Sequence, residues 1–170
     1  MASRKPKEPH PLCFPIHEGD EAEVRRILDA SPECLNTPEP GGLTALMFCA
    51  TYRRPELARV LLDRGANVDA KNRTGMTALH LAAWNHCAPV VRMLIDAGAA
   101  VDQVDDSGNT ALHHAVHMHT RDLDGTTIQV LIQAGADPRL KNRWGDSPIE
   151  VARRSEQGTG RFFEGVAEGA

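Results

Sequence analysis

The feature that most constrains this chain is a short segment that returns at nearly constant intervals. A glycine followed two residues later by Thr or Ser begins four similar segments, at Gly42, Gly75, Gly108 and Gly145. The first two intervals are 33 residues and the third is 37. A second series, Gly65, Gly98 and Gly135, repeats the intervals of 33 and 37. Two independent landmarks with one period indicate a tandem array of similar units.

Each unit has the pattern of two short antiparallel helices. A hydroxyl residue that can cap a helix N-terminus follows the first glycine of each unit: Thr44, Thr77, Thr110 and Ser147. The second helix of a unit carries apolar residues at helical spacing, for example Val90, Val91 and Leu94. One such helix pair cannot bury its apolar face alone, so neighbouring units are expected to stack in a row.

The run TALHLAA at 77–83, followed by VVRMLI and DAGA, resembles the ankyrin repeat, whose period is also 33 residues. This resemblance implies an all-α solenoid of stacked helix-turn-helix units joined by extended hairpin loops. It also implies that His80 and His113 make hydrogen bonds between repeats. The sequence departs from the family pattern at Met47, where histidine is usual, and at Pro15 in the first unit.

The resemblance divides the chain into about four repeats plus a partial C-terminal cap. Residues 1–10 are predicted to be a disordered tail, and residues 155–170 a C-terminal tail or lid. The ankyrin-repeat domain is expected at 11–154. Its repeats are expected at approximately 11–40, 41–72, 73–105 and 106–142, with the cap at 143–154.

Composition argues against several classes of protein. The 19 basic and 23 acidic residues give a net charge of −4, which is unlike a nucleic-acid surface. No apolar run approaches the roughly 20 residues of a membrane helix. The four cysteines form no CxxC pair, so free thiols are expected. The N-terminus lacks the apolar stretch of a secretory signal. These features predict a cytoplasmic protein that binds neither nucleic acid nor membrane.

No nucleophile, phosphate-binding or HExxH motif is present, so we expect neither an enzyme nor a cofactor. The unusual chemistry is a histidine cluster: His113, His114, His117 and His119. Several of these spacings share one helix face, which permits a metal- or pH-responsive sensor as an alternative function. The simpler interpretation is structural, since His113 belongs to the inter-repeat column and His119 replaces a turn glycine.

The resemblance implies that partners meet the concave face made by the first helices and the loop tips. The residues predicted to bind a partner there are Tyr52, Arg73, Met76, Trp84, Asn85, Asp106, Asn109, His117, Met118, Arg143 and Trp144. Trp, Tyr and Met are enriched in interface cores. The competing interpretation of Trp84 is burial over its own repeat, because tryptophan is highly buried on average.

The predicted function is therefore a non-enzymatic protein–protein interaction module, an adaptor or an inhibitor, that binds another protein through its concave groove. We expect the free protein to be a monomer.

Overall fold

The computed structural model describes residues 10–117, 125–155 and 159–164. The α-helices within these ranges are α1 (Cys13–Glu18), α2 (Glu21–Ala30), α3 (Ala45–Tyr52), α4 (Pro55–Asp63), α5 (Ala78–Trp84), α6 (Ala88–Asp96), α7 (Ala111–His117), α8 (Thr126–Gln133) and α9 (Pro148–Arg154). Two 3₁₀ helices span Pro32–Leu35 and Thr159–Phe163. These ranges contain no β-strand, and none of their helices is long and apolar enough to cross a membrane.

The helices form two rows that follow the order of the chain. The odd-numbered helices contact one another in sequence, from α1 to α9, and make the inner row. The even-numbered helices α2, α4, α6 and α8 make the outer row, and each packs on the inner helix of its own unit. The predicted all-α solenoid of stacked helix pairs is confirmed.

Small side chains set the spacing of the inner row. Ala45, Ala78 and Ala111 each begin an inner helix and are almost completely buried. Ala82 and Ala115 are likewise buried further along their helices. Because a methyl group projects so little from the helix, neighbouring backbones approach closely and side chains interdigitate at the density of a protein interior.

The inner helices α3, α5, α7 and α9 each begin with a reciprocal cap. The Thr77 N–H donates to His80 Nδ1 at 3.1 Å, and the Thr110 N–H donates to His113 Nδ1 at 3.0 Å. The last unit uses a carboxylate in the same place, with the Ser147 N–H donating to a Glu150 oxygen. The predicted capping positions are correct, and the side chain three residues later supplies the second half of the cap.

The histidines of these caps also join consecutive units. His80 Nε2 lies 3.1 Å from the carbonyl oxygen of Asn109, and His113 Nε2 lies 3.1 Å from that of Asp146. Since Nδ1 of each ring accepts a backbone N–H, the proton must be on Nε2, which donates to the next unit. The inter-repeat role implied for these two residues agrees with this geometry. Burial lowers the pKa of His80 to about 4.

The loops between units stack in the same register as the helices. The Asp106 N–H donates to the Thr74 carbonyl, and the Arg143 N–H donates to the Ser107 carbonyl, both at 3.0 Å. Gly75 has a φ of 75°, and a Cβ there would lie 2.8 Å from the Asp106 nitrogen. Glycine is required at this position by both the left-handed backbone and the close approach of the next loop.

The two ends of the array differ from its middle. Pro15 lies in the first turn of α1, where its missing N–H would have had no partner in the helix. The guanidinium of Arg54 donates to the Ile16 and His17 carbonyls and so ties the first unit to the second. At the other end, the 3₁₀ helix Thr159–Phe163 packs on α9 and buries Phe163. The extra residues of the 37-residue unit are expected around 120–125, most of which lies outside the described ranges.

Substitution of Leu94 tests the packing of the outer row, because the Leu94 side chain is completely buried on α6. We expect Leu94→Ala to lower the free energy of unfolding by roughly 2–5 kcal/mol, through lost burial and the cavity left behind. Chemical denaturation followed by circular dichroism measures the change. Val104→Ala is the control, since Val104 is 42% exposed and its loss should change stability by less than about 0.5 kcal/mol. Equal effects of the two substitutions would contradict the stacking.

The pH dependence of the free energy of unfolding tests the hydrogen bonds that His80 makes in its cap and to the next unit. The unfolded chain takes up a proton near the ordinary histidine pKa of 6.5, whereas folded His80 does so only near 4. The contribution of neutral His80 to stability is therefore fully present above the unfolded pKa, and it is lost as pH falls from that value toward the folded pKa. From His80 alone we expect a loss of about 2 kcal/mol between pH 7 and pH 5.

The matched variant is His80→Met, because Met47 occupies the same position in the preceding unit and its sulfur accepts the Thr44 N–H. This variant should be less stable at pH 7 but should show a smaller fall in the free energy of unfolding between pH 7 and pH 5. Urea denaturation at the two pH values measures both. An undiminished pH dependence in the variant would mean that His80 is not the titrating group.

Candidate binding groove

The concave side of the array is made by the C-terminal ends of the inner helices and by the loop tips. In its N-terminal half the rings of His17 and Tyr52 meet edge to face, with centroids 4.8 Å apart. Tyr52 also stacks on Phe48 at 6.3 Å, with the planes nearly parallel. Burial raises the pKa of the Tyr52 phenol, so it stays neutral at physiological pH. This half of the groove presents an aromatic surface.

The C-terminal half of the groove contains a cavity of about 390 Å³ that is lined by the third and fourth repeats and the C-terminal cap. Both tryptophans of the chain line it, and both are solvent-accessible, with Trp84 38% and Trp144 69% exposed. The full lining is Trp84, Asn109, His113, His114, His117, Asn142, Trp144, Asp146 and Val151. We refer to it as the tryptophan cavity.

The structure brings four of the predicted partner-binding residues together in this cavity: Trp84, Asn109, His117 and Trp144. Sequence reasoning did not select Asn142, Asp146 or Val151, which face the cavity from the loop and helix of the following unit. Asn142 donates to the Asn109 side-chain oxygen at 2.9 Å and so links two successive loops. The repeat alignment could have found it, since Asn142 occupies the same loop position as Asn72.

The Trp84 ring contacts the next inner helix. Its ring centroid lies 5.2 Å from that of His114 in the next unit. The two ring planes are tilted by 53°, and the indole also borders the cavity. Trp84 keeps 38% of its surface exposed while it makes this contact.

The remaining predicted residues lie outside the cavity. Arg73, Asp106 and Arg143 are exposed on successive loop tips, and Met76 is half-buried beside them. Asn85 donates its amide to the Leu81 carbonyl at 2.8 Å and thereby helps to end α5. Met118 falls outside the described residues.

Opposite charges offset one another around the cavity. The carboxylate of Asp146 pairs with the guanidinium of Arg154, and Glu150 Oε1 lies 3.9 Å from Lys141 Nζ. These side chains are largely exposed, so each pair contributes little to stability. The Lys71 ammonium donates to the Val104 carbonyl of the next loop. The surface that a partner would meet is therefore aromatic and amide-rich at the cavity, with mixed charge at the rim.

The histidine cluster is divided among different roles. Both ring nitrogens of His113 are engaged in the cap and the inter-unit bond. His114 Nε2 lies 2.9 Å from a carboxylate oxygen of Asp105, and both side chains are buried. His117 is exposed, and His119 is outside the described residues. Within the described residues no three His, Cys, Asp or Glu side chains are placed to hold a metal ion. Nothing in this arrangement favours the metal-sensor alternative.

Comparison with known proteins agrees with this geometry. A family model described as ankyrin repeats (3 copies) matches residues 12–105 and 67–142, which together cover more than half of the chain. The chain is also 39% identical over 57 residues to the NAD-capped RNA hydrolase NUDT12 of Homo sapiens, Pongo abelii and Macaca fascicularis. That match covers 34% of this chain and 12% of each relative. Repeat period, reciprocal caps, stacked helix pairs and the family match together show that this chain belongs to the ankyrin-repeat family.

Proposed function

We propose that this chain is a non-enzymatic protein-binding module, an adaptor or an inhibitor, whose partner docks in the concave groove and anchors in the tryptophan cavity. Ankyrin repeats are generally protein–protein interaction modules, and this general role is the starting point. The observation that carries the specific proposal is the cavity itself. Both tryptophans of an aromatic-poor chain border it, and both remain accessible.

The energetic argument rests on desolvation at a pre-formed site. Tryptophan side chains bury a large apolar area with few rotatable bonds, so ordering them in a complex costs little entropy. Hot spots of protein interfaces concentrate in such pockets, and surrounding polar contacts exclude water from them. The amides of Asn109 and Asn142 and the mixed charges of the loop tips would form this polar surround and orient the partner.

The relatives named as NAD-capped RNA hydrolases do not change this proposal. The matched segment covers 12% of each of them and lies in the repeat region, so it supports a shared interaction module and not a shared reaction. We propose that the protein acts as a monomer in the cytoplasm. The four cysteines are free thiols, which suits a reducing compartment.

The test is partner affinity in Trp84→Ala/Trp144→Ala. Removing both indoles should weaken binding by roughly 2–4 kcal/mol, which is a loss of thirtyfold or more in affinity. The fold should remain intact, because both rings are exposed enough that their removal leaves little void. The partner is isolated by quantitative affinity capture with the wild-type chain and then titrated in purified form by calorimetry. Tyr52→Ala, measured in parallel, reports whether the N-terminal half of the groove contributes.

The matched control is Phe14→Ala. Phe14 is an aromatic residue, 71% exposed, on α1 at the opposite end of the array, and it does not line the cavity. Its loss should leave partner affinity unchanged. An affinity unaffected by the double tryptophan substitution, with circular dichroism showing native helix content, would refute the groove as the binding site. Loss of the partner's own activity in a stoichiometric complex would identify an inhibitor, and retention would identify an adaptor.

A further inference from the structure

Helix α7 and the loop that precedes it carry two polar side chains at positions that the neighbouring repeats fill differently. His114 is the fourth residue of α7, and the corresponding residues of α3, α5 and α9 are the apolar Phe48, Leu81 and Val151. Asp105 stands in the loop position that is Asn72 one unit earlier and Asn142 one unit later. The two departures lie on either side of the boundary between the third and fourth repeats, and their side chains meet.

Asp105 is held rigidly by its own loop. Its Oδ1 accepts the N–H groups of Ser107 at 2.8 Å and Asn109 at 2.9 Å. Asn72 and Asn142 make the same two bonds in their loops with an amide oxygen. The loop therefore needs only one oxygen of Asp105. The second oxygen, Oδ2, is directed to His114 Nε2 at 2.9 Å, and the two side chains are only 8% (His114) and 6% (Asp105) exposed.

His114 in turn lies against Trp84. Its ring centroid is 5.2 Å from that of Trp84 and 5.7 Å from that of His80, which meets it edge to face. The titratable groups around it are His80 from α5, Asp105 from the preceding loop, and His113 and His117 from α7. Asp146, ahead of α9, lines the same cavity. The chain of contacts runs from a fixed carboxylate, through an oriented imidazole, to the exposed indole of the groove.

At neutral pH this pair is a neutral ring beside a carboxylate. Burial lowers the pKa of His114, and the bond to Asp105 offsets only part of that effect. Burial by itself raises the pKa of Asp105, but hydrogen bonds from the Asn109 N–H, His114 and the Ser107 N–H hold it below its usual range. His114 Nε2 therefore carries the proton and donates to the carboxylate.

The stack itself does not require the pair. Neighbouring units pack with Leu81 and Val151 in the same place, and a buried polar pair is often no more stabilising than apolar residues of similar size. An apolar side chain at position 114 would make no hydrogen bond to Asp105 and so could not be held in one fixed plane. The hydrogen bond that His114 donates to Asp105 gives the His114 ring one orientation, and the Trp84 indole contacts that ring.

We propose that Asp105 and His114 are a positioning pair for Trp84, which holds its indole at the border of the tryptophan cavity in the orientation that a partner meets. The importance of this role for binding rests on the proposed function of the groove. The positioning itself is a property of the free protein and can be tested without a partner.

The experiment places all variants in a Trp144→Phe background, where Trp84 is the one remaining tryptophan. His114→Leu reproduces the Leu81 of the preceding unit, and combined with Asp105→Asn it reproduces the Asn72 loop as well. His114→Gln is the conservative variant, because its amide N–H can still donate to Asp105 but does not titrate. Thermal melts establish that each variant is folded.

At pH 7 the double variant should melt at or above the temperature of the background protein, whereas His114→Leu alone should melt lower, because it leaves a buried oxygen of Asp105 without its hydrogen-bond partner. Their Trp84 emission should shift to longer wavelength, and quenching by acrylamide should increase, because the indole is no longer held against an oriented ring. His114→Gln should keep the emission and quenching of the background. Unchanged emission and quenching in the folded His114→Leu variant would overturn the proposal.

The pH profile of Trp84 emission distinguishes a contact with the His114 ring from simple filling of space at position 114. An imidazolium quenches indole fluorescence, so emission of the background protein should fall as pH decreases through the lowered pKa of His114. The transition should lie below the ordinary histidine value of 6.5. It should be absent in His114→Gln and present in His80→Met. A flat profile in the background protein would contradict the contact between the two rings.

Binding to the purified partner completes the test, and the proteins compared carry the natural Trp144. If Trp84→Ala leaves affinity unchanged, the groove function fails while the fluorescence result still decides the positioning. If Trp84→Ala weakens binding, His114→Leu should weaken it by about tenfold or more and His114→Gln by much less. Full affinity in His114→Leu, despite a displaced indole, would overturn the role of the pair in recognition.

Discussion

The constraint on which this structure depends is that no single helix pair can bury its own apolar surface. Each inner helix has only six to eight residues, and an isolated helix of that length is not stable in water. The apolar faces of the pairs are covered only by the next pair in the chain. Alanines along the inner row allow that approach, and leucines and valines of the outer row fill the space between units. Stability is therefore shared among neighbours, and an elongated groove follows from the same requirement.

Hydrogen bonds make the stacking specific where apolar contact alone would permit sliding. His80 and His113 close their own helix caps with one nitrogen and reach the backbone of the next unit with the other. A slip in register would leave a buried imidazole N–H and a carbonyl without partners, which costs more than the bonds themselves contribute. At the equivalent position of the preceding inner helix, Met47 supplies the cap alone and packs as an apolar side chain.

Helix α7 and its preceding loop show how a repeat can differ in chemistry from its neighbours and keep the same fold. Asp105 keeps the loop bonds that asparagine makes elsewhere and still has an oxygen left for His114. The polar pair replaces apolar packing beneath Trp84, beside the junction where the loop tips leave a cavity.

The sequence by itself determined the architecture. The intervals between glycines, the capping hydroxyls and the apolar spacing of the outer helices are local features, and local features dictate helices, turns and their order. It also selected Trp84, Asn109, His117 and Trp144, because residues at equivalent positions of a regular repeat must share a surface. Tertiary structure alone decided that these four border a cavity with Asn142 and Asp146. It also decided that Trp84 rests on His114 and that His114 pairs with Asp105. These contacts join different units, and the distance and direction of a side chain across a unit boundary depend on packing, which a repeat pattern does not specify.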